Sequence, residues 1–174
     1  IAPYRALALG GAETAPGLLS YISRNGCVMP EYLHLVLADS LIASGNAGMA
    51  LEVLSSVPEG MPERAADRRS IIRYRAFLET GRVSAADSVL SVAEGTGDSE
   101  LLSLLFHYRG DWMLRRGLEG YREVYLRSFG LWPAAPVHAA AYDILRQEIL
   151  ADRTLGAALA DDFYPGGLWN ELYD

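Results

Sequence analysis

The chain has 174 residues, of which 51% are hydrophobic and 21% are charged. With only 17 glycines and 8 prolines, this is the composition of one folded domain, and it excludes an intrinsically disordered chain. No run approaches the ~20 uncharged apolar residues that a membrane-spanning helix needs. The single cysteine, Cys27, excludes an internal disulfide framework and any multi-cysteine metal site.

The charge balance argues against a general nucleic-acid binder. Fifteen basic residues against 22 acidic ones give a net charge of −7, whereas proteins that neutralise phosphates usually carry a basic surplus. Every basic residue is arginine, as expected from genomic base composition, and six arginines crowd one short stretch (Arg64, Arg68, Arg69, Arg73, Arg75 and Arg82). Because the chain begins with Ile1, we expect its natural start to lie upstream or to have been removed. The sequence therefore assigns no compartment, and one free thiol fits cytoplasm and periplasm alike.

An internal repeat organises the sequence. Gly45, Gly81 and Gly117 stand 36 residues apart, each after an amphipathic stretch. Other columns keep the same offset, which pairs Ala50 with Ala86 and Leu54 with Leu90. A fixed period of this length indicates tandem supersecondary units that bury their apolar faces against one another.

In chain order, the first predicted unit covers residues 1–29 and matches the repeat only weakly. It has a short predicted helix over 3–9, followed by an apolar stripe with the spacing of a second helix. The next unit, 30–61, begins a helix at Pro30, where the missing N–H costs least, and closes it at Gly45. Its two stripes follow helical spacing: Leu33, Val36, Leu37 and Leu41, then Ala50, Val53, Leu54 and Val57.

Three further segments complete the predicted order. The unit at 62–97 turns at Gly81, and the unit at 98–130 begins near Asp98 and turns at Gly117. Residues 130–136, with two prolines, form the strongest internal breaker and predict a bend rather than a domain boundary. A last helix pair over 135–163 and an aromatic tail over 164–174 follow, so residues 1–163 are predicted to form a single repeat domain.

The pattern resembles the tetratricopeptide repeat (TPR) family. The matching positions alternate large and small residues around a turn glycine: Leu37, Ala38, Leu41, Gly45, Ala50, Leu54 and Pro62. The match departs at Tyr74, where the family prefers a small side chain, and at Arg122, where alanine is usual. Another solenoid of helix pairs, and an ordinary helical bundle, remain alternatives. Pentatricopeptide repeats, which bind RNA, have a similar length, but the acidic charge counts against them.

The resemblance implies an all-α, right-handed solenoid of about four antiparallel helix pairs. It also implies a non-enzymatic scaffold that binds a protein or peptide in a concave groove lined by the first helix of each pair. Projecting the helical period places ten residues on that groove: Tyr32, Leu35, Asp39, Arg68, Ile72, Arg75, His107, Tyr108, Asp111 and Arg115. Arg68 and Arg75 would bind a ligand carboxylate. Alternatively, Arg75 merely bridges Asp39 and Asp111, its acidic neighbours along the repeat.

No pattern in the sequence favours catalysis, and we expect neither a cofactor nor a metal. His34, His107 and His138 fall in different predicted units, where we expect isolated packing or surface residues. Cys27 has no histidine nearby in sequence, and the adjacent Asp161 and Asp162 point about 100° apart on a helix.

Two other roles stay open at this point. The chain could be an accessory superhelical region of a larger multidomain protein, such as a cell-wall lytic transglycosylase. It could also be a self-assembling repeat module, a homo-oligomer formed through its terminal helix pairs or its aromatic tail, residues 168–173.

Overall fold

The structure is a computed structural model that describes residues 30–57, 60–133 and 135–152. These residues are helical and contain no strand, which confirms the all-α prediction. The helices are α1 (Pro30–Ala43), α2 (Ala47–Ser55), α3 (Glu63–Glu79), α4 (Val83–Thr96), α5 (Ser99–Arg115), α6 (Tyr121–Leu131), a 3₁₀ turn (Pro136–His138) and α7 (Ala139–Ala151). The unit expected over 1–29, the second helix of the pair expected over 135–163 and the tail lie outside the described residues. Within the described ranges, no helix combines the length and the apolar character needed to cross a membrane.

The chain divides into two compact units after Gly95. The N-terminal unit contains α1 to α4. The C-terminal unit contains α5 to α7 and the 3₁₀ turn.

The same turn follows α1, α3 and α5. At each turn a glycine adopts a left-handed backbone, with φ of 81° at Gly45, 73° at Gly81 and 63° at Gly117. The next residue donates its N–H to a carbonyl five residues back: Asn46 to Leu41 at 2.8 Å, Arg82 to Phe77 at 2.8 Å and Leu118 to Met113 at 3.0 Å. This bond defines a Schellman C-cap, which stops a helix and satisfies its last carbonyls. The 36-residue period is therefore present in the backbone as well as in the sequence.

Helix bounds repeat with the turns. Helices α1, α3 and α5 end at Ala43, Glu79 and Arg115, which are 36 residues apart, and α3 and α5 begin 36 residues apart as well. Helices α2 and α4 also begin 36 residues apart, but α6 begins two residues later than this interval predicts. The extra residues include Gly120, whose φ of 84° makes a second left-handed position in that connection.

In the N-terminal unit, the core cluster between α1, α2 and α3 is aliphatic, and the Tyr74 side chain of α3 is buried outside that cluster. Helix α1 packs against α2 and α3, and α2 packs against α3. The predicted stripes supply most of this core, since Leu33, Leu37, Leu41, Ala50, Val53, Leu54 and Val57 are all buried. Val36 is only half-buried and packs at the edge of the cluster.

The C-terminal unit is built around aromatic rings. Helix α5 approaches α6 closely at Gly110, because a Cβ there would lie 2.6 Å from the Tyr125 ring. Farther along α6, the Phe129 ring stacks on Tyr142 of α7, with ring centroids 4.1 Å apart. The buried members of this cluster are Tyr125, Leu126, Phe129, Ala141, Leu145 and Ile149.

Candidate functional site

Three of the ten predicted groove residues do not lie on an open surface. Leu35 is completely buried, Ile72 is 2% exposed and His107 is 5% exposed. The helical projection placed them on the outward side of α1, α3 and α5, but neighbouring side chains cover them. For these residues, the expected exposure is therefore wrong.

The structure brings three other predicted residues together on α1 and α3. The Arg75 guanidinium donates a short hydrogen bond to Asp39, and the Arg68 guanidinium lies 3.9 Å from the other carboxylate oxygen. Their side chains retain exposed fractions of 23% for Arg75, 36% for Asp39 and 49% for Arg68. Arg68 and Arg75 share one side of α3, since seven residues are about two helical turns. This basic site (Asp39, Arg68 and Arg75) brings three predicted groove residues together and leaves their side chains partly accessible.

In the C-terminal unit, Asp111 makes several contacts. Its carboxylate accepts a hydrogen bond of 2.5 Å from the Tyr125 hydroxyl and lies 3.5 Å from Nε2 of His107. Its main-chain carbonyl accepts from Nε of Arg115 at 3.3 Å. Tyr108 lies edge-on to the His107 ring. Asp111 therefore contacts a buried side chain, Tyr125, as well as a surface side chain, Arg115.

The expectation of isolated histidines is wrong for His107 and His138. The 3₁₀ turn carries His138 onto α5, where its ring centroid lies 5.2 Å from that of His107. His138 is completely buried. A 3₁₀ turn between α6 and α7 was not predicted, and it is this turn that brings the two rings together.

Two serines complete this buried polar cluster (Ser103, His107, Ser128 and His138). The Ser103 hydroxyl donates to the main-chain carbonyl of Ser128 at 2.9 Å, and the Ser128 hydroxyl donates to that of Ser103 at 2.6 Å. Nε2 of His138 lies 2.9 Å from the Ser128 hydroxyl oxygen. The paired bonds hold α5 against α6 at a point where both side chains are fully buried.

This arrangement does not activate a serine. Each hydroxyl has one proton, and the carbonyl opposite takes it. The Ser128 oxygen therefore accepts a hydrogen bond from Nε2–H of His138, the reverse of the bond that a general base makes to a nucleophile. Full burial also keeps any substrate away from both oxygens. The cluster stabilises helix packing.

Burial shapes the electrostatics of the C-terminal unit. Removal from water, and secondarily the neighbouring His107, lowers the pKa of His138 to about 4, against the opposing influence of the Pro133 carbonyl and Asp111. Burial also lowers the pKa of His107, although Asp111 opposes the change. For Tyr125, burial and then the hydrogen bond to Asp111 raise the pKa of the phenol.

A polar contact that includes Arg122 joins α6 to α7. Its Nε donates to Glu148 at 2.6 Å, and Tyr121 donates a short hydrogen bond to the other oxygen of that carboxylate. Burial and the Glu148 hydrogen bond raise the pKa of Tyr121 to about 12. Alanine at this position would leave Glu148 without this basic partner.

Sequence reasoning missed Ser103, Ser128 and His138 as a group. A signal existed, because Ser128 interrupts the apolar stripe formed by Tyr125 and Phe129, and Ser103 interrupts the stripe of α5. A polar residue on a buried helical stripe needs a hydrogen-bond partner. The pattern does not say which one.

Two remaining predictions concern ligands. Among the described residues, no three His, Cys, Asp or Glu side chains are placed to hold a metal ion. Cys27 and the Asp161–Asp162 pair lie outside the described residues.

No family model, curated protein or solved structure matches the chain.

Proposed function

We propose that the protein is a non-enzymatic, TPR-like helical repeat that binds an acidic protein segment through the first helices of its repeats. The observation that carries this proposal is the Schellman turn that recurs every 36 residues after α1, α3 and α5. An ordinary helical bundle has no reason to place identical caps at a fixed interval. A tandem repeat does, because each unit repeats the same local fold.

Packing in the N-terminal unit supports the same proposal. In a stack of helix pairs, the first helix of one repeat contacts its own second helix and the first helix of the next repeat. Helix α1 makes both contacts, with α2 and with α3. The bond between Asp39 and Arg75 joins equivalent positions of the first two helices, 36 residues apart.

The basic site supplies the ligand chemistry. Arg68 is half exposed, and its 3.9 Å separation from Asp39 is longer than a hydrogen bond. Its guanidinium can therefore pair with a ligand carboxylate without first losing a strong bond. An arginine fork binds a carboxylate through two parallel hydrogen bonds, which favours aspartate and glutamate side chains or a chain terminus.

The test is binding of acidic peptides to matched charge variants. An arrayed library of peptides with varied numbers of Asp and Glu would first find the tightest sequence, and fluorescence anisotropy would then give its Kd. We expect R68A/R75A to weaken this Kd by about tenfold or more, since two charge-assisted hydrogen-bonding groups are lost. Circular dichroism should show the same helicity as the wild type, because both side chains are partly exposed.

The matched control is R73A/R82A, which removes the same charge from the same unit. Both arginines are exposed, and Arg73 lies on the other side of α3 against the Phe77 ring. This control should bind as the wild type does. Removing the competing carboxylate with D39A should leave the affinity unchanged or improve it. Equal loss in both double variants would mean that binding depends on net charge alone, and the proposed site would be rejected.

A further inference from the structure

The segment after α6 packs onto α5 and α6 through the buried polar cluster. We propose that this contact is acid-labile, so that residues 136–151, the 3₁₀ turn and α7, detach from the α5–α6 pair when protons bind at His107 and His138. The proposal concerns a conformational change and does not depend on the proposed ligand site.

Both imidazoles lie where a charge has little solvation. His138 is completely buried and His107 is 5% exposed. Apolar rings surround His138, with Phe129 of α6 at 4.8 Å and Tyr142 of α7 at 6.1 Å between centroids. The other imidazole is 5.2 Å away, so two charged rings would repel each other at short range.

Hydrogen bonding also favours the neutral form of His138. Its Nε2–H is used by Ser128, so an added proton must go to Nδ1. The Nδ1 atoms of both histidines are buried without a hydrogen-bond partner of good geometry among the described residues. A proton on either ring therefore adds a buried charge that is only partly paired, by the Pro133 carbonyl at His138 and by Asp111 at His107.

The groups that face the cluster offset only part of this cost. From α5, Asp111 lies near His107, but the Tyr125 hydroxyl of α6 already binds that carboxylate. The Pro133 carbonyl favours the protonated form of His138. From α7, Tyr142 contributes an uncharged ring, and its hydroxyl donates to that same carbonyl.

The direction of the pH effect follows from linkage. In the packed form, burial holds the pKa of His138 at about 4, whereas a solvent-exposed imidazole titrates near 6.5. The detached form therefore binds protons more tightly. The contact is at full strength above pH 6.5 and weakens as the pH falls from 6.5 toward 4.

Hydrogen exchange of the full chain between pH 7 and pH 5 tests the proposal. Protection factors, corrected for the intrinsic pH dependence of exchange, would be followed for peptides covering residues 139–151. We expect protection of this segment to fall by about twentyfold from His138 alone over that range. A helix of the N-terminal unit, α1, should not change in parallel.

Substitutions separate the histidines from general acid effects. Glutamine keeps a hydrogen-bond donor but does not titrate, so H107Q/H138Q should show pH-independent protection of residues 139–151. The matched control is H34Q, which alters the third histidine of the chain, half-buried on α1, and should keep the wild-type pH dependence. The proposal would be overturned if protection of residues 139–151 in the wild type did not depend on pH. It would also be overturned if H107Q/H138Q kept the wild-type pH dependence.

If H107Q/H138Q does not fold, NMR titration of the wild-type imidazoles decides the question. A pKa of His138 well below 6.5 supports the proposal, and a value at or above 6.5 contradicts it.

Discussion

The two units of the chain share their turns but differ in their cores. In the N-terminal unit, Leu, Ile, Val and Ala side chains fill the space between α1, α2 and α3. In the C-terminal unit, the rings of Tyr125, Phe129 and Tyr142 dominate. Among the described residues, the fully covered serine and histidine side chains (Ser103, His107, Ser128 and His138) all belong to the C-terminal unit. The same turns therefore connect helices that pack around an aliphatic cluster in one unit and an aromatic cluster in the other.

Equivalent positions show how the difference arises. Ala38 of α1 corresponds to Gly110 of α5, two sequence periods later, and the Tyr125 ring of α6 lies against Gly110. In the C-terminal unit, the loss of one methyl group on α5 makes room for a whole ring on α6. Close packing links the two changes, because neither residue fits without the other.

We expect the largest loss of stability from a charge introduced at Ala50, because the same sequence column holds the charged Arg122 in the C-terminal unit. Ala50 is completely buried, whereas Arg122, two sequence periods later, is partly exposed and pairs with Glu148. We expect A50R to cost about 4 kcal/mol or more, since it places an unpaired charge in an aliphatic core. Chemical denaturation of the full chain, with hydrogen exchange to locate the loss in α1 and α2, measures it.

The reverse change in the other unit is the control for A50R. R122A removes a partly exposed ion pair, so we expect a loss of only about 1 kcal/mol. That loss should shrink at high salt because the pair is accessible to counterions. Similar costs for both changes would contradict the contrast between a buried aliphatic position at Ala50 and an accessible ion pair at Arg122.

The next effect concerns the close approach of α5 and α6. In G110A, the new methyl group would meet the Tyr125 ring at 2.6 Å, and that ring is completely buried and cannot swing away. Overpacking of this kind should destabilise the protein by about 2 kcal/mol in denaturant unfolding. G130A in α6, where nothing lies within 4 Å, should instead be neutral or slightly stabilising. A neutral G110A would show that the helices can separate without cost.

The smallest losses of stability should come from alanine at the turn glycines, and they should be equal in both units. Alanine at Gly45, Gly81 or Gly117 meets no atom within 4 Å, so only the left-handed backbone opposes it. Each substitution should cost about 1 kcal/mol. G95A, in a helix and at an ordinary φ, is the control and should not destabilise. A clear difference among the three turn variants in thermal unfolding would contradict the equivalence of the repeats.

Local signals predicted much of the backbone. The start of α1 at Pro30 and the left-handed turns at Gly45, Gly81 and Gly117 follow from residues that favour one conformation at those points. Asp98 was expected near the start of α5, and its side chain accepts from the N–H groups of Glu100 and Leu101, both at 3.0 Å. The contact between Asp39 and Arg75 also follows from the period.

The sequence by itself determined the helices, their caps and their 36-residue interval, because these depend on interactions within a few residues. Tertiary structure decided which side chains are covered, and it therefore buried Leu35, Ile72 and His107. It also placed His138 against His107 and Ser128, since an unpredicted 3₁₀ turn sets the direction in which α7 returns. Contacts of this kind join distant parts of the chain, and the helical period carries no information about their partners.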